Sequence, residues 1–436
     1  METKLARIAR LASADPKLRF TSIGHFIDVS ALMESHRAME TGKATGVDGV
    51  TKETYETNLV ANVERLVKRL KQKSYRPQPA RRTYIPKDEK NRRPLGIPVY
   101  EDKLVQHALK QVLEAIYEQD FLDFSYGFRP KRSMHDALKT LNRIIERGKI
   151  NYVVDADIKG FFNHVDHKWL MKFLELRIGD ANIHRLVKRM LKAGIQEEGE
   201  FEPTEEGTPQ GSVASPILAN IYLHYVLDIW FAVAVKKQSK GQAEMVRFAD
   251  DFVCCFQYKE DAEQFYAALR TRLDKLKLSI AEEKTKIIEF GRFAEQNRKK
   301  LGGRKPDTFD FLGFTHYCSK SQKGTFRVKR KTSGKKFKQK VKAMKTWIKM
   351  NRHMEQKAFL KTLRAKLMGH YRYYGITDNF DKIHAYYDIT INLMLKWLNR
   401  RSQKKSFSKE RFFEVLNVFK LPKPSIYVSI YDMPKL

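Results

Sequence analysis

Cysteine is scarce in this chain: three in 436 residues, two of them adjacent at Cys254 and Cys255. There is no Cys-x-x-Cys pair, which excludes a zinc ribbon, a zinc-bound nuclease module and a disulfide framework. No stretch of about 18 apolar residues runs unbroken, which argues against a membrane span. The opening METKLARIARLASADPKLRF lacks the apolar core of a signal peptide. The expected compartment is therefore a reducing, bacterial-type cytosol. Internal repeats and low-complexity tracts are also missing. Acidic residues are outnumbered, 51 against 84 basic, giving a formal net charge of +33. Such a surplus opposes compaction by self-repulsion unless a polyanion neutralises it, and nucleic acid is the default polyanion. With 42% hydrophobic and 11% aromatic residues, the chain is globular rather than a disordered basic tail. Its length suggests two to four structural units.

The charge is uneven. Residues 315–436 hold 30 Lys/Arg and 7 Asp/Glu, and Lys320 to Lys349 contains 13 basic residues and no acidic one. This points to a C-terminal region that binds phosphate backbones. The first 75 residues read as helical, broken by turn residues at Gly46, Asp48 and Gly49. Tyr75 to Pro98 reads as a β-hairpin tipped by residues 87–92. Apolar spacing at Leu104, Ala108, Val112, Leu113 and Ile116 predicts an amphipathic helix over 101–121. Two strands are expected, Tyr152–Ile158 and Met245–Phe256. Ser215 reads as an N-cap with Pro216 at the first helical position. An amphipathic helix fits 259–277, a strand or hairpin fits 309–316, and helices fit 334–351, 355–374 and 380–401. Asp166, flanked by His164 and His167, reads as a helix start rather than a metal site.

Four carboxylates stand inside apolar β-runs. On an alternating strand Asp155 and Asp157 share one face, and Asp250-Asp251 interrupt the second run. Acidic groups there are expensive to bury unless a cation neutralises them. Two Mg2+ ions ~4 Å apart, held between neighbouring strands, would account for the pattern. For an isolated Asp-Asp pair, a solvated hairpin turn is the commoner explanation.

Phe248-Ala249-Asp250-Asp251 resembles the catalytic signature of reverse transcriptases, with Phe248 where tyrosine is commoner. The order of further segments resembles group II intron-encoded reverse transcriptase/maturases: GVDG (46–49), RRPLGIP (92–98), SYGFRP (125–130), DIKGFFNHVDH (157–167), GTPQGSVASPILANIYL (207–223), EEKTK (282–286), FLGF (311–314) and GHYRYYGI (369–376). Each is weak alone, and together in one order they are specific.

The resemblance implies an α+β right-hand polymerase with fingers, a palm built on a small antiparallel sheet, and a basic α-helical thumb and maturase region. The segments would be 1–74, an N-terminal helical extension; 75–318, fingers and palm; and 319–436, thumb and RNA-binding maturase region. It implies that Asp157, Asp250 and Asp251 are catalytic metal ligands for two Mg2+ ions, with Mn2+ a substitute. Asp155 competes with Asp157 for that role. Phe162 would lie under the incoming sugar and reject a 2′-hydroxyl, one of Phe161 and Phe162 being core. Lys87 and Arg93 would contact the triphosphate, and Gln210 and Gly211 would border nucleotide and template. Ser212 replaces a second glycine usual in the family, which leaves the loop contacts open. Lys284 matches a basic residue near the site, with a surface lysine the equal alternative. Leu312-Gly313 would grip the primer end. Arg129 would either bind template phosphate or pair with an acidic neighbour. Among Trp347, Tyr371, Tyr373, Tyr374, Tyr386 and Tyr387, at least half are expected in the thumb core, with the rest free to stack on bases. His370 is expected to be structural.

The expected activity is RNA-directed DNA synthesis from dNTPs on an RNA template with a DNA primer, together with binding of intron RNA during splicing and retrohoming. With no nuclease module in the sequence, mobility would use a primer made elsewhere. Two other readings stay open: a polymerase-dead RNA-binding splicing factor, which expects decayed aspartates, and a domesticated reverse transcriptase of phage defence, a retron or a CRISPR system, which genomic surroundings would reveal.

Overall fold

A computed structural model describes residues 2–86, 91–303, 305–401 and 408–431. In chain order its elements are α1 (Glu2–Ala14), α2 (Val29–Ala38), α3 (Lys52–Glu56), α4 (Leu59–Lys71), β1 (Ala80–Pro86), β2 (Arg92–Ile97), α5 (Tyr100–Tyr117), α6 (Met134–Arg147), β3 (Tyr152–Asp157), α7 (His167–Glu175), α8 (Ala181–Leu191), β4 (Ile195–Glu197), β5 (Glu200–Glu202) and α9 (Ser215–Gln238). Then follow β6 (Ala243–Phe248), β7 (Asp251–Phe256), α10 (Lys259–Lys275), β8 (Lys286–Glu289), α11 (Ala294–Lys300), β9 (Phe309–Phe311), β10 (Phe314–Lys320), β11 (Phe326–Thr332), α12 (Gly334–Asn351), α13 (Gln356–Tyr374), α14 (Phe380–Leu398) and α15 (Lys409–Phe419). The fold is α+β with three small sheets, ordered β2-β1-β4-β5, β6-β7-β3-β8 and β11-β10-β9. The hairpin β1–β2 is antiparallel in the register Arg81↔Ile97 to Pro86↔Arg92.

By packing, the chain forms two compact units, each discontinuous in sequence. The first comprises Met1–Ser133, Ala156–Phe252 and Glu263–Lys286. Its core is built around α5, where Leu104, Ala108, Val112, Leu113 and Ile116 are all fully buried, as their spacing predicts. α9 also runs through this core. It is the one helix, among the described residues, long and apolar enough to cross a membrane, yet 67% of its apolar window is buried inside the protein. It also carries the fully buried, ion-paired Asp228.

The second unit comprises Met134–Asp155, Val253–Ala262 and Ile287–Leu436. It contains the meander β9–β11 and the helices α12–α15. Of the six aromatics singled out above, Tyr371, Tyr374 and Tyr386 are buried, and Tyr373 is exposed. His370 stacks on Tyr386 at 3.7 Å between ring centroids, and burial pushes its pKa down to about 3. It is therefore a neutral core side chain.

Three local expectations need correction. The expected strand Met245–Phe256 is two strands, because the chain turns at Ala249-Asp250, where Ala249 takes φ +59°. Periodicity misses this, because apolar residues continue on both sides. Ser215 is the first helical residue rather than the cap. Ala214 occupies the cap position, and the Ser215 hydroxyl instead donates to the Pro209 carbonyl at 2.8 Å. Helix α15 was not foreseen at all. Asp166 does cap α7, accepting from the Trp169 amide at 2.8 Å.

Candidate active site

The site is built from the first unit alone. β3 ends at Asp157, and the segment after α10 is clipped to that end. The Lys159 amide donates to the Ser279 carbonyl, and the Ala281 amide to the Asp157 carbonyl, both at 2.8 Å. That clip delivers Lys284, whose Nζ donates to Asp157 Oδ2 at 2.6 Å. This hydrogen bond raises the Lys284 pKa, and the charge of Asp251 adds to the effect. Lys284 thus stands at the carboxylate cluster, not merely on the surface.

Asp250 lies in the two-residue connection between β6 and β7, and Asp251 opens β7 with its side chain exposed. Burial raises the Asp250 pKa above its ordinary value, and the negative charge of Asp157 raises it further. Arg93 and Arg247 oppose both. Hence Asp157 and Arg93, both singled out in the sequence, lie within electrostatic reach of Asp250. Asp155 falls in the second unit. The carboxylate that acts on Asp250 is that of Asp157.

The loop before α9 is strapped to this cluster. Its Thr208 amide donates to the Phe162 carbonyl at 2.8 Å, and Gln210 Nε2 donates to Asn163 Oδ1 at 3.2 Å. The Gly96 amide on β2 donates to the Gln210 carbonyl at 2.6 Å. Gly211 has φ +111°, and a Cβ there would stand 2.6 Å from the Gly96 carbonyl oxygen, so only glycine fits without displacement. The departure at Ser212 has a local explanation: its hydroxyl donates to Gln106 Oε1 on α5 at 3.0 Å. Phe161 is core, whereas Phe162 is only half-buried.

Other expected residues fall elsewhere. Lys87 lies outside the described residues. Arg129 is not at a template surface. Its side chain is 3% exposed, it is ion-paired with Glu118 at 3.0 Å, and it donates to the carbonyls of Leu122 and Ser125 at 2.8 Å. The acidic-neighbour alternative is the one found. Leu312 and Gly313 form a two-residue β9–β10 connection in the second unit, with φ +49° and +81°, the pattern of a primed hairpin turn. Tyr373 Oη donates to the Leu312 carbonyl at 3.3 Å.

The sequence reading missed a buried network under the Ala249-Asp250 turn. Arg247 and Asp228, both fully buried, pair through Nε–Oδ1 at 2.7 Å and Nη2–Oδ2 at 2.5 Å. The available signal was a charge set in each of two apolar runs, MVRF and YVLDIWF.

Asp157, Asp250 and Asp251 offer hard oxygen donors, and the mutual repulsion that raises Asp250 is a field that a divalent cation would relieve. The Lys284 ammonium already supplies one positive charge against Asp157. The donor chemistry therefore fits a divalent metal. Among the described residues, however, no three His, Cys, Asp or Glu side chains are gathered into a ready metal-binding cluster. A divalent ion held through Asp157 Oδ2 would compete with Lys284 for that oxygen.

Asp250 makes the stability of the metal-free fold depend on pH. Its folded-state pKa lies above the unfolded value of 3.8, so the folded chain holds this proton more tightly. That contribution to stability is lost as pH rises from 3.8 through the folded-state pKa. Without divalent metal, Asp250→Asn is expected to melt at a higher temperature than the parent at neutral pH, with the gap closing toward pH 3.5. Thermal unfolding against pH in chelator measures this, and an Asn variant less stable at pH 7 contradicts it.

Known proteins resemble this chain over much of its length. A family model for reverse transcriptase (RNA-dependent DNA polymerase) matches residues 85–316. Protein YkfC of Escherichia coli strain K12 is 34% identical over 356 residues, covering 74% of this chain and 90% of YkfC. The chain belongs to the reverse transcriptase family. The group II intron-encoded protein LtrA of Lactococcus lactis subsp. cremoris is 35% identical to this reverse transcriptase over 269 residues, 61% of the chain. The matched stretch spans only 42% of LtrA. An uncharacterized 91 kDa protein in a cob intron of Schizosaccharomyces pombe is 38% identical over 176 residues, 40% of the chain and 22% of that protein. These relatives bear out the resemblance to group II intron-encoded reverse transcriptases. Reverse transcriptases generally use divalent metal ions and act on nucleic acid.

Proposed function

We propose that this reverse transcriptase is an RNA-directed DNA polymerase working at Asp157, Asp250 and Asp251 with two Mg2+ ions. The observation that carries this reading is the arrival of Asp157 and Asp250, from separate β-segments, within each other's electrostatic field, with Arg93 acting on the same cluster. Bound Mg2+ would favour deprotonation of a primer 3′-hydroxyl and neutralise the departing pyrophosphate. The chain's own residues do the rest. Arg93, on β2, neutralises triphosphate charge. The half-buried ring of Phe162 sits under the sugar and leaves no room for a 2′-hydroxyl. Gly211 brings loop backbone close to the nucleotide beside Gln210. Lys284 neutralises Asp157 until the site is loaded. In this reading the β1–β2 hairpin belongs to the fingers, the sheet holding Asp157 and Asp250 to the palm, and the segment from 319 onward to the thumb, with Leu312-Gly313 at the primer end. Primer extension on an RNA template, with dNTPs or rNTPs and with Mg2+ or chelator, tests the reading. Extension is expected only with dNTPs and metal. Failure to extend with purified, RNA-bound protein contradicts it.

We further propose that this protein binds the RNA of a group II intron as a maturase, through its basic C-terminal region. Helix α12 carries seven lysines and no acidic residue, and Lys335, Lys338 and Lys345 are exposed along it. Each phosphate contact releases counterions. Changing these three lysines to glutamine is therefore expected to reduce the slope of log affinity against log salt by about 2, roughly 0.7 per lost contact. Filter binding across a salt series measures this. An unchanged slope places the RNA elsewhere.

A further inference from the structure

The turn that carries Asp250 is strained. Ala249 takes φ +59°, a left-handed conformation that crowds the Cβ of a non-glycine residue against its own backbone. Such a conformation persists only where its surroundings over-determine it. Here the surroundings are specific. Arg247 Nη1 donates to the Ala249 carbonyl at 2.9 Å and to Asn220 Oδ1 at 3.1 Å. Arg247 Nη2 donates to Ser125 Oγ at 2.7 Å, and Asp228 takes the remaining edge of the guanidinium. Asn220 Nδ2 donates to the Gly127 carbonyl at 2.7 Å. The Arg247 amide donates to the Phe124 carbonyl at 2.8 Å, and the Tyr126 amide to the Arg247 carbonyl at 2.9 Å. Gly127 lies directly against the turn: a Cβ at this position would come closer to the Ala249 amide nitrogen than real Cβ atoms approach anything.

We infer that this assembly is a positioning device: Arg247, seated on Asp228, Asn220 and the Ser125-Tyr126-Gly127 segment, locks the left-handed Ala249 turn and thereby fixes where Asp250 points. It rests on the reading of Asp250 as a metal-holding residue and assigns to SYGFRP a role other than template contact. Arg247, Asp228, Asn220 and Ser125 are all buried, out of reach of a substrate. They act through the backbone of residue 249. A guanidinium is suited to this because its five N–H groups form a rigid planar fork, which here engages an acidic side chain, a hydroxyl, an amide and a main-chain carbonyl at once. Outer-shell partners of metal ligands typically change metal affinity or activity by about 10- to 100-fold.

Two variants of the full chain test the device. Gly127→Ala pushes on the turn from one side. The double variant Arg247→Met/Asp228→Leu removes the anchor while leaving no buried charge unpaired, a replacement that often preserves stability. The control is Arg177→Met/Asp120→Leu, which deletes another ion pair with a buried arginine, one whose guanidinium binds the carbonyls of Ala12, Asp15 and Leu18 instead. Mn2+ binding, read by electron paramagnetic resonance on the unreacted protein, is expected to weaken about 10-fold or more in both test variants and to stay unchanged in the control. kcat for primer extension should fall by a similar factor, with the KM for dNTP within about twofold. If one test variant does not fold, the other carries the result. If neither folds, faster amide exchange at residues 249–251 in Ser125→Ala than in the parent supports the device, and unchanged exchange there overturns it. Parental Mn2+ affinity and kcat in folded test variants also overturn it. If parent protein binds no Mn2+ at all, it is the assignment of Asp250 that fails, not the positioning of the turn, which the exchange measurement reads separately.

Discussion

Asp250→Asn is expected to abolish DNA synthesis while leaving RNA binding intact. The substitution keeps the shape of the side chain and removes only charge. Asp250 sits where burial and the Asp157 carboxylate already disfavour ionisation. Losing that charge therefore costs the fold nothing, but it leaves a metal with one anionic donor fewer. The Lewis-acid contribution of a bound divalent ion is several kcal/mol, and forfeiting ~4 kcal/mol lowers the rate about a thousandfold. Asp157→Asn should do the same and also remove the charge that pairs with Lys284 Nζ at 2.6 Å. Primer extension under single-turnover conditions measures the loss. The salt slope of RNA binding should match that of the parent, because those contacts come from lysines. Residual synthesis within tenfold of the parent would remove Asp250 from the chemistry.

Gly211→Ala is expected to have the next largest effect. Two constraints coincide at this residue: φ +111°, which L side chains rarely adopt, and a would-be Cβ 2.6 Å from the Gly96 carbonyl oxygen. The contacted atom is backbone of β2, which cannot swing aside as a side chain would. Either the loop lifts from β2, breaking the Gly96–Gln210 backbone hydrogen bond, or β2 shifts and takes Arg93 with it. Both move groups assigned to the nucleotide, and a misplacement of about 1 Å costs on the order of a hundredfold in kcat/KM. The global cost should be small, roughly 1–3 kcal/mol, because Gly211 is exposed and no core is opened. Steady-state kinetics beside a melting curve distinguish the two effects. Full activity with an unchanged melting temperature would show that the loop does not contact β2 in the working enzyme.

Much of the fold was readable because it follows from periodicity. The α5 face from Leu104 to Ile116, the helices near 334–351, 355–374 and 380–401 and the Asp166 cap each rest on local spacing or local hydrogen bonding. The turn at Ala249-Asp250 was readable only from the strand–turn–strand context of the Phe-Ala-Asp-Asp motif, because nothing in the periodicity marks it. No glycine or proline stands there, and the left-handed residue is an alanine held by Arg247, Asn220 and Gly127 from distant parts of the chain. Arg129 shows the same limitation in reverse. In the sequence it is one more cation among 84 basic residues. Only the fold reveals that Glu118 and two carbonyls already occupy its guanidinium. Lys284 was legible as a residue type but not as a neighbour, since its contact with Asp157 spans 127 positions.

The most direct test is anomalous diffraction from crystals grown with Mn2+, an RNA template, a DNA primer lacking its 3′-hydroxyl and a matching dNTP. Peaks bounded by the carboxylates of Asp157, Asp250 and Asp251, with Lys284 withdrawn from Asp157 and the triphosphate toward Arg93, are the predicted result. A bound primer and dNTP with no metal between those carboxylates, or with Lys284 still paired to Asp157, would contradict the account.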